Sequence, residues 1–257
     1  MLNAYFVSDL HIGSATDSRA RLFLEFLQKL AIGENASHLF LMGDIFDLWI
    51  AAHSYFIDKY QPITDAIVRL RDRGVEIHYF EGNHDLYLRH YWGEEIGVMI
   101  HEGPAYFDIG HQTVRIEHGD QMDPDDRGYR FLRWFLRTPP LKFLMPRLPG
   151  SLVVAIGKKS SATSRVYTSE TKTITREDTI RKIRAHAEKV YKEMPFNLII
   201  SGHVHVRDQY LVQDGQIAFK SVNLGTWLDA PCYYQIDETG GKLVDLQADS
   251  SIRIRKA

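Results

Sequence analysis

EGNHDLY, residues Glu81 to Tyr87, closes the apolar segment Val75 to Phe80 with Gly, Asn, His and Asp in a row. A turn uses Gly and Asn, because both tolerate positive φ and an Asn side chain can bond its own backbone. It has no use for the His and Asp that follow. The same event recurs along the chain. Asn3 to Ser8 reads as a buried strand ending at Asp9, and His38 to Met42 as a second one ending at Gly43 and Asp44. Thr113 to Glu117 alternates like a strand and ends at His118, Gly119 and Asp120, while the apolar run Asn197 to Ser201 ends in Gly202, His203, Val204 and His205. Between the first strands, Leu22, Phe23, Phe26, Leu27 and Leu30 recur at helical period within Ser18 to Leu30, and Ile63, Ile67 and Leu70 do so within Tyr60 to Arg73, with Gly74 as a C-cap. Strands alternating with helices of this length predict an α/β fold with a largely parallel sheet, whose ligands bind at the carboxyl ends of the strands. Two hairpins are expected near the end, one turning on Asp214 and Gly215 and one near Thr239 to Gly241, which makes the tail mostly antiparallel.

At 257 residues and 44% hydrophobic content the chain can bury one large core. The formal net charge of -2 supplies no global basic field for nucleic acid. One cysteine, Cys232, cannot form an intrachain disulfide and suits a reducing compartment. The first ten residues, MLNAYFVSDL, lack a basic n-region, and no stretch offers ~18 uninterrupted apolar residues, so a cytoplasmic protein, or one held on a membrane from the cytosolic side, is expected.

Collected, the strand ends supply Asp9 and His11, Asp44, Asn83 with His84, His118, and His203 with His205. Carboxylates and imidazoles without thiolate suit a divalent ion such as Mn, Fe or Zn. These ligands are too many for one ion, whereas two ions about 3.5–4 Å apart, bridged by one carboxylate, use them all. Asp44, alone at its strand end, is the expected bridge. If the chain stays extended, Asp-x-His at 9–11 and His-x-His at 203–205 each put two side chains on one side. Taken singly, each is an ordinary polar turn; five together, all at strand ends, are not.

D-x-H (9–11), G-D (43–44), G-N-H-D (82–85), H-G-D (118–120) and G-H-x-H (202–205) together resemble the calcineurin-like metallophosphoesterases. The resemblance implies a four-layer α/β/β/α sandwich, of which the parallel sheet is half. It implies one metal on Asp9, His11, Asp44 and His205 and another on Asp44, Asn83, His118 and His203, with Mn as the ion. It also gives His84 the scissile phosphate, as acid or as donor to the developing charge, with Asp85 orienting and charging that imidazole.

Residues 124–195 differ in texture. RFLRWFLR, PPLKFLMPRLPG and LVVAIGKKS interleave large apolar side chains with cations, and Pro139, Pro140, Pro146 and Pro149 break the stretch into short helices. It reads as a helical insertion over the sheet's carboxyl edge, between a core of residues 1–123 and 196–257. Arg130, Arg133 and Arg137 form a cationic stripe on one helical face, so 130–156 is expected to contact anionic lipid as a peripheral membrane element. The basic cluster is interleaved with apolar bulk and tracks no phosphate groove, which argues against nucleic acid.

GDIFDLW (43–49), HGDQMDPDDRGY (118–129) and LGTW (224–227) are similar to one subgroup, the UDP-2,3-diacylglucosamine diphosphatases of lipid A synthesis. That similarity implies hydrolysis of a lipid-linked nucleotide sugar to UMP and a lipid 1-phosphate at the inner membrane. It also implies substrate contacts from Asn83, His84, Asp126 and Tyr129; the subgroup's Ser and Lys contacts find no counterpart in SLVVAIGKKSSATSRVYTSETK, where Lys158, Lys159, Arg165 and Lys172 are candidate phosphate cations. The subgroup carries Arg where this chain has His84. A phosphate leaving group needs no acid, whereas an alkoxide benefits from one. The rival readings are a phosphodiesterase or phosphatase of soluble nucleotides or other lipids and, with every ligand position filled, less readily a non-catalytic scaffold.

Overall fold

The computed structural model of the protein is described for residues 2–33, 35–155, 175–215 and 217–246. In chain order the elements run β1 (Asn3–Val7), α1 (Ser18–Ile32), β2 (His38–Leu41), β3 (Trp49–Ile50), α2 (Ser54–Asp72), β4 (Glu76–Phe80), β5 (Asp85–Leu86), β6 (Met99–His101), β7 (Ala105–Ile109) and β8 (Gln112–Ile116). They continue with α3 (Arg127–Leu136), α4 (Pro139–Leu144), α5 (Arg176–Glu193), β9 (Leu198–Ser201), β10 (Asp208–Asp214), β11 (Ile217–Asn223), β12 (Cys232–Asp237) and β13 (Gly240–Asp245).

Two sheets carry the fold. The first has the order β13-β12-β1-β2-β4-β6, in which β1, β2, β4 and β6 are parallel and β12 and β13 antiparallel. The second has the order β10-β11-β9-β8-β7, with β8, β9 and β11 parallel at its centre and both edge strands antiparallel. Strand β1 shows why its sequence is apolar throughout: Tyr5 and Val7 pack toward α1 and α2, while Ala4 and Phe6 pack toward the second sheet. A strand covered on both faces has no solvated side to make polar. Helix α5 covers the outer face of the second sheet through Ala187 and Val190 against Ile199 and Phe219. The layers are therefore α/β/β/α, as the resemblance implied.

Both hairpins form, β10–β11 and β12–β13. Helix α2 starts six residues before the expected Tyr60, capped by His53, whose Nδ1 accepts from the Tyr55 amide at 3.1 Å. Phe56 and Tyr60 extend the buried stripe of Ile63, Ile67 and Leu70 backward, and Pro62 lies inside the helix. Strands β6 and β7 gave no sequence signal, being short and partly exposed.

The segment expected as one insertion over 124–195 divides. Helices α3 and α4 and the helical residues 150–155 stand near the carboxyl ends of the first sheet's strands, whereas α5 is a covering layer of the second sheet. No helix among the described residues is long and apolar enough to cross a membrane.

Candidate metal centre

Five of the seven expected ligand residues leave their strands in the left-handed region: Asp9 at φ 55°, His11 at 47°, Asp44 at 53°, His203 at 69° and His205 at 57°. Neither Asp-x-His nor His-x-His is therefore extended, and the same-side argument from strand geometry does not apply. Each side chain is aimed instead by a strained turn that neighbouring loops hold. The amides of Asp9 and His11 donate to the carbonyls of Gly43 (3.2 Å) and Asp44 (2.9 Å), and the Gly202 amide donates to the His118 carbonyl (2.9 Å). Gly82 and Gly202 admit this crowding, since a Cβ on Gly82 would collide with the Asp44 carboxylate and one on Gly202 with Ser8 and Asp9.

A brace missed by sequence reasoning comes from the loop after β11. The Asp9 carbonyl accepts from Thr226 Oγ1 at 3.0 Å and from the Trp227 amide at 3.1 Å. Buried Asn223 donates to the Gly202 carbonyl at 2.8 Å and to Ser201 Oγ at 3.0 Å. Thr226 and Trp227 of LGTW thus hold the turn that presents Asp9, and Asn223 just before them holds the turn that presents His203.

Each carboxylate is tied by one oxygen and aimed by the other. Asp9 Oδ2 accepts from Ser8 Oγ and from the His203 amide at 2.8 Å. Its Oδ1 is buried with no hydrogen-bond partner among the described residues and stands 3.4 Å from His205 Nε2 and 3.9 Å from His11 Nε2. Asp44 Oδ1 accepts from the His84 amide at 2.9 Å, leaving Oδ2 between His11 Nε2 (3.9 Å) and His118 Nε2 (3.6 Å). Asn83 Oδ1 lies 3.2 Å from His118 Nε2. The donor atoms form three groups, Asp9, His11 and His205; His11, Asp44 and His84; and Asp44, His118 and His203, within each of which all lie inside 4.8 Å of one another. A buried orphan oxygen facing two imidazole nitrogens is what a divalent cation satisfies and a hydrogen-bond network here does not. The donor set fits divalent ions, and Asp44 belongs to two of its three groups.

The fields agree. Burial would push the Asp44 carboxyl up, but the surrounding imidazoles of His118, His84 and His11 hold it well below the usual range. Burial would likewise lower His118, and Asp44 beside it raises it to about 10. His203, buried and next to His118, is pushed down to about 4.

His84 stands at the centre's edge with its ring 5.0 Å from that of His11. Its Nδ1 lies 2.7 Å from the Asp47 carbonyl, which can only accept, so Nδ1 carries the hydrogen. Burial opposes its charge, yet Asp44 and this bond raise its pKa. Asp85 does not orient His84 as expected. Its oxygens accept from the Ile45 (2.8 Å) and Phe46 (3.3 Å) amides and from Tyr79 Oη (2.9 Å), so it shapes the turn after Asp44 and reaches the imidazole only through space. Burial and the nearby Asp44 raise its pKa to about 7.

Asp126 caps α3, accepting from the Tyr129 amide at 2.9 Å. The Tyr129 ring lies 5.8 Å from that of His203 and its hydroxyl donates to Asp120 at 2.6 Å. Lys158, Lys159, Arg165 and Lys172 lie outside the described residues. The expected cationic stripe of α3 does not face lipid as a unit: Arg133 donates to Asp120 and Arg137 to Glu81, both on the core side. The large side chains that α3 and α4 expose are aromatic and aliphatic, namely Phe131 (63%), Trp134 (63%), Phe135, Phe143 and Leu144, with Arg127, Arg130 and Lys142 exposed beside them.

The family profile of the calcineurin-like phosphoesterases matches residues 2–207. Proteins named UDP-2,3-diacylglucosamine hydrolase align over nearly the whole chain. The one from Stenotrophomonas maltophilia strain K279a is 27% identical over 94% of this chain and 98% of its own length, and that from Aeromonas salmonicida is 29% identical over 89% and 87%. Among solved structures, an archaeal phosphodiesterase shares the fold with a TM-score of 0.50 at 13% identity, covering 95% of this chain and 99% of that one. The chain therefore belongs to the calcineurin-like phosphoesterases, metal-dependent hydrolases of phosphate esters.

Proposed function

We propose that the protein hydrolyses the diphosphate of UDP-2,3-diacylglucosamine to UMP and 2,3-diacylglucosamine 1-phosphate, as a peripheral protein on the cytosolic face of the inner membrane. The observation that carries this reading is the exposed apolar face of α3 and α4 next to a phosphoesterase centre, in a chain that aligns end to end with hydrolases of that name. An acylated substrate needs such a surface, and a soluble nucleotide does not.

In this reading Asp9, His11, Asp44 and His205 hold one divalent ion and Asp44, Asn83, His118 and His203 a second. Mn suits the oxygen and imidazole donors. Bound there, such ions would supply positive charge for the phosphate oxygens and acidity for a water at neutral pH. His84, its ring fixed by the Asp47 carbonyl and its pKa raised beside Asp44, offers a proton at Nε2 to the phosphate oxygens where charge accumulates. Since the departing group is itself a phosphate, His84 acts there as a charge and donor more than as an acid, the role Arg takes in the similar subgroup. Asp85 serves by holding the turn that carries Asp44. A second reading, a diester with an alkoxide leaving group, is favoured by His84 alone, because such a group gains from an acid.

The test is the purified protein with Mn and UDP-2,3-diacylglucosamine in detergent micelles, following UMP and the lipid 1-phosphate by mass spectrometry. UMP release is expected, with His84→Ala slower by about 10²-fold and His84→Arg retaining most of the rate. No UMP alongside hydrolysis of an aryl phosphodiester would leave the centre intact and remove this substrate.

A further inference from the structure

Helix α3 is seated on the core by polar contacts. None of its residues is fully buried, so apolar packing alone does not fix its position. Arg133 Nε donates to Asp120 Oδ2 at 2.7 Å, and its Nη2 to the Glu102 carbonyl at 3.1 Å. One turn later, Arg137 Nη2 donates to Glu81 Oε2 at 3.2 Å, while Glu81 Oε1 accepts from the Leu88 amide at 3.1 Å. The Tyr87 hydroxyl donates to the Leu136 carbonyl at the end of the helix.

Both anchoring carboxylates stand on loops that carry metal-centre residues. Glu81 lies two residues before Asn83 and closes the 81–88 turn that presents Asn83 and His84. Asp120 lies two residues after His118. Both are buried, at 6% and 8% exposure. A buried carboxylate so near a cation site has two outcomes open to it: it pairs with a fixed positive group, or it competes for the ion. Arg133 and Arg137, each donating one N–H to its carboxylate, enforce the first. Arg127 and Arg130 are exposed, as a lipid-gripping helix would have them, whereas Arg133 and Arg137 are turned away from the face that carries Phe131 and Trp134 and pair with the core carboxylates instead.

We infer that Arg133 and Arg137 are positioning residues of the metal centre. By neutralising Asp120 and Glu81 they lock α3 onto the 81–88 and 118–120 loops and set where Asn83, His84 and His118 stand, which makes a seated cap helix a condition of the phosphate chemistry itself. The inference rests on the phosphoesterase centre and not on which lipid is cleaved, so a water-soluble aryl phosphodiester tests it whatever the fate of the substrate assignment.

The experiment compares the full-length protein with Arg137→Met, Arg133→Met and the neutral pair Glu81→Gln/Arg137→Gln. Two measurements are made, Mn affinity of the metal-free protein by titration calorimetry and steady-state kinetics on the aryl diester, which give kcat and KM. For each single variant, Mn affinity at one of the two sites is expected to fall about tenfold or more, with kcat falling alongside and KM little changed, as for outer partners of metal ligands elsewhere. The neutral pair, which leaves no unpaired charge, is expected to regain most of both. Unchanged Mn affinity and unchanged kcat on the soluble diester would overturn the inference and leave the arginines to lipid binding. Should the Met variants not fold, Arg133→Gln, which can keep one hydrogen bond to Asp120, is judged by the same two measurements.

Discussion

Asp9 holds a backbone conformation that costs a non-glycine residue about 1–3 kcal/mol, so something must over-determine it. Its carbonyl supplies the means, accepting from Thr226 Oγ1 and the Trp227 amide across 217 residues of sequence. Thr226→Val keeps the shape and removes the first donor. It should lower stability by about 1 kcal/mol in urea unfolding and weaken Mn binding at the Asp9 side of the centre, while Thr226→Ser restores both. Equal Mn affinity in the Val variant would mean that the Trp227 amide alone suffices. The same residue marks where sequence reading stops. The seven ligand candidates stood out as a set, because five polar strand ends in one chain are improbable as ordinary turns, and the fold brings their side chains together. Thr226 and Asn223 carry no such mark, since a buried polar residue shows its purpose only once its distant partner is in place. Asp85 shows the complementary limit: the resemblance implied a partnership with His84, and its oxygens accept from the amides of Ile45 and Phe46 instead.

At the scale of the element, α3 was legible as a helix with arginines along one face, and the face was assigned to lipid. A helical wheel tells which residues share a side but not what that side meets. Glu81 and Asp120 decide it here, turning Arg133 and Arg137 to the core and leaving Phe131 and Trp134, ring centroids 5.6 Å apart, to solvent. If this aromatic pair rests on a membrane, its apolar area and not its charge carries the binding. Phe131→Ser/Trp134→Ser should then cut cosedimentation with vesicles of mixed anionic and neutral lipid by about tenfold or more, and raising the salt should change wild-type binding little. Binding that survives the double substitution and collapses with salt would place the contact elsewhere. Helix α5 teaches the same lesson: its texture resembled the neighbouring segment, and only the pairing of Ala187 and Val190 with the second sheet makes it a layer of the core.

The whole molecule depends on how its two sheets meet, and a histidine sits in that contact. Phe6, Phe40 and His78 stack across β1, β2 and β4 with centroids 4.6 and 4.5 Å apart, and Phe107 of the second sheet closes edge-on against His78 at 4.9 Å. The parallel half was readable from its apolar runs, whereas the face-to-face sandwich needed the pairing of β8, β9 and β11, which no local pattern encodes. Burial above all, with His101 and His38 adding to it, lowers the pKa of His78 to about 3. Nδ1 of His78 lies 3.1 Å from His101 Nε2, so the two share one hydrogen and cannot both be fully protonated without opposing two N–H groups; Glu76 Oε1, 3.2 Å from Nε2, only partly offsets this. The folded pKa is thus below the unfolded value near 6.5, and the unfolded chain binds the extra proton as the solution is acidified. Stability is full above pH 6.5 and declines as pH falls toward 3, by about 2 kcal/mol at pH 5 from this group. His78→Phe continues the stack without a titrating ring, so its Tm should drop less than the wild type's between pH 7.5 and pH 5. His101, also held down by burial, keeps a remainder of the acid sensitivity. Parallel Tm curves for the two proteins over that range would show that the contact between the sheets is not where acid acts, and would move attention to the carboxylates paired beneath α3.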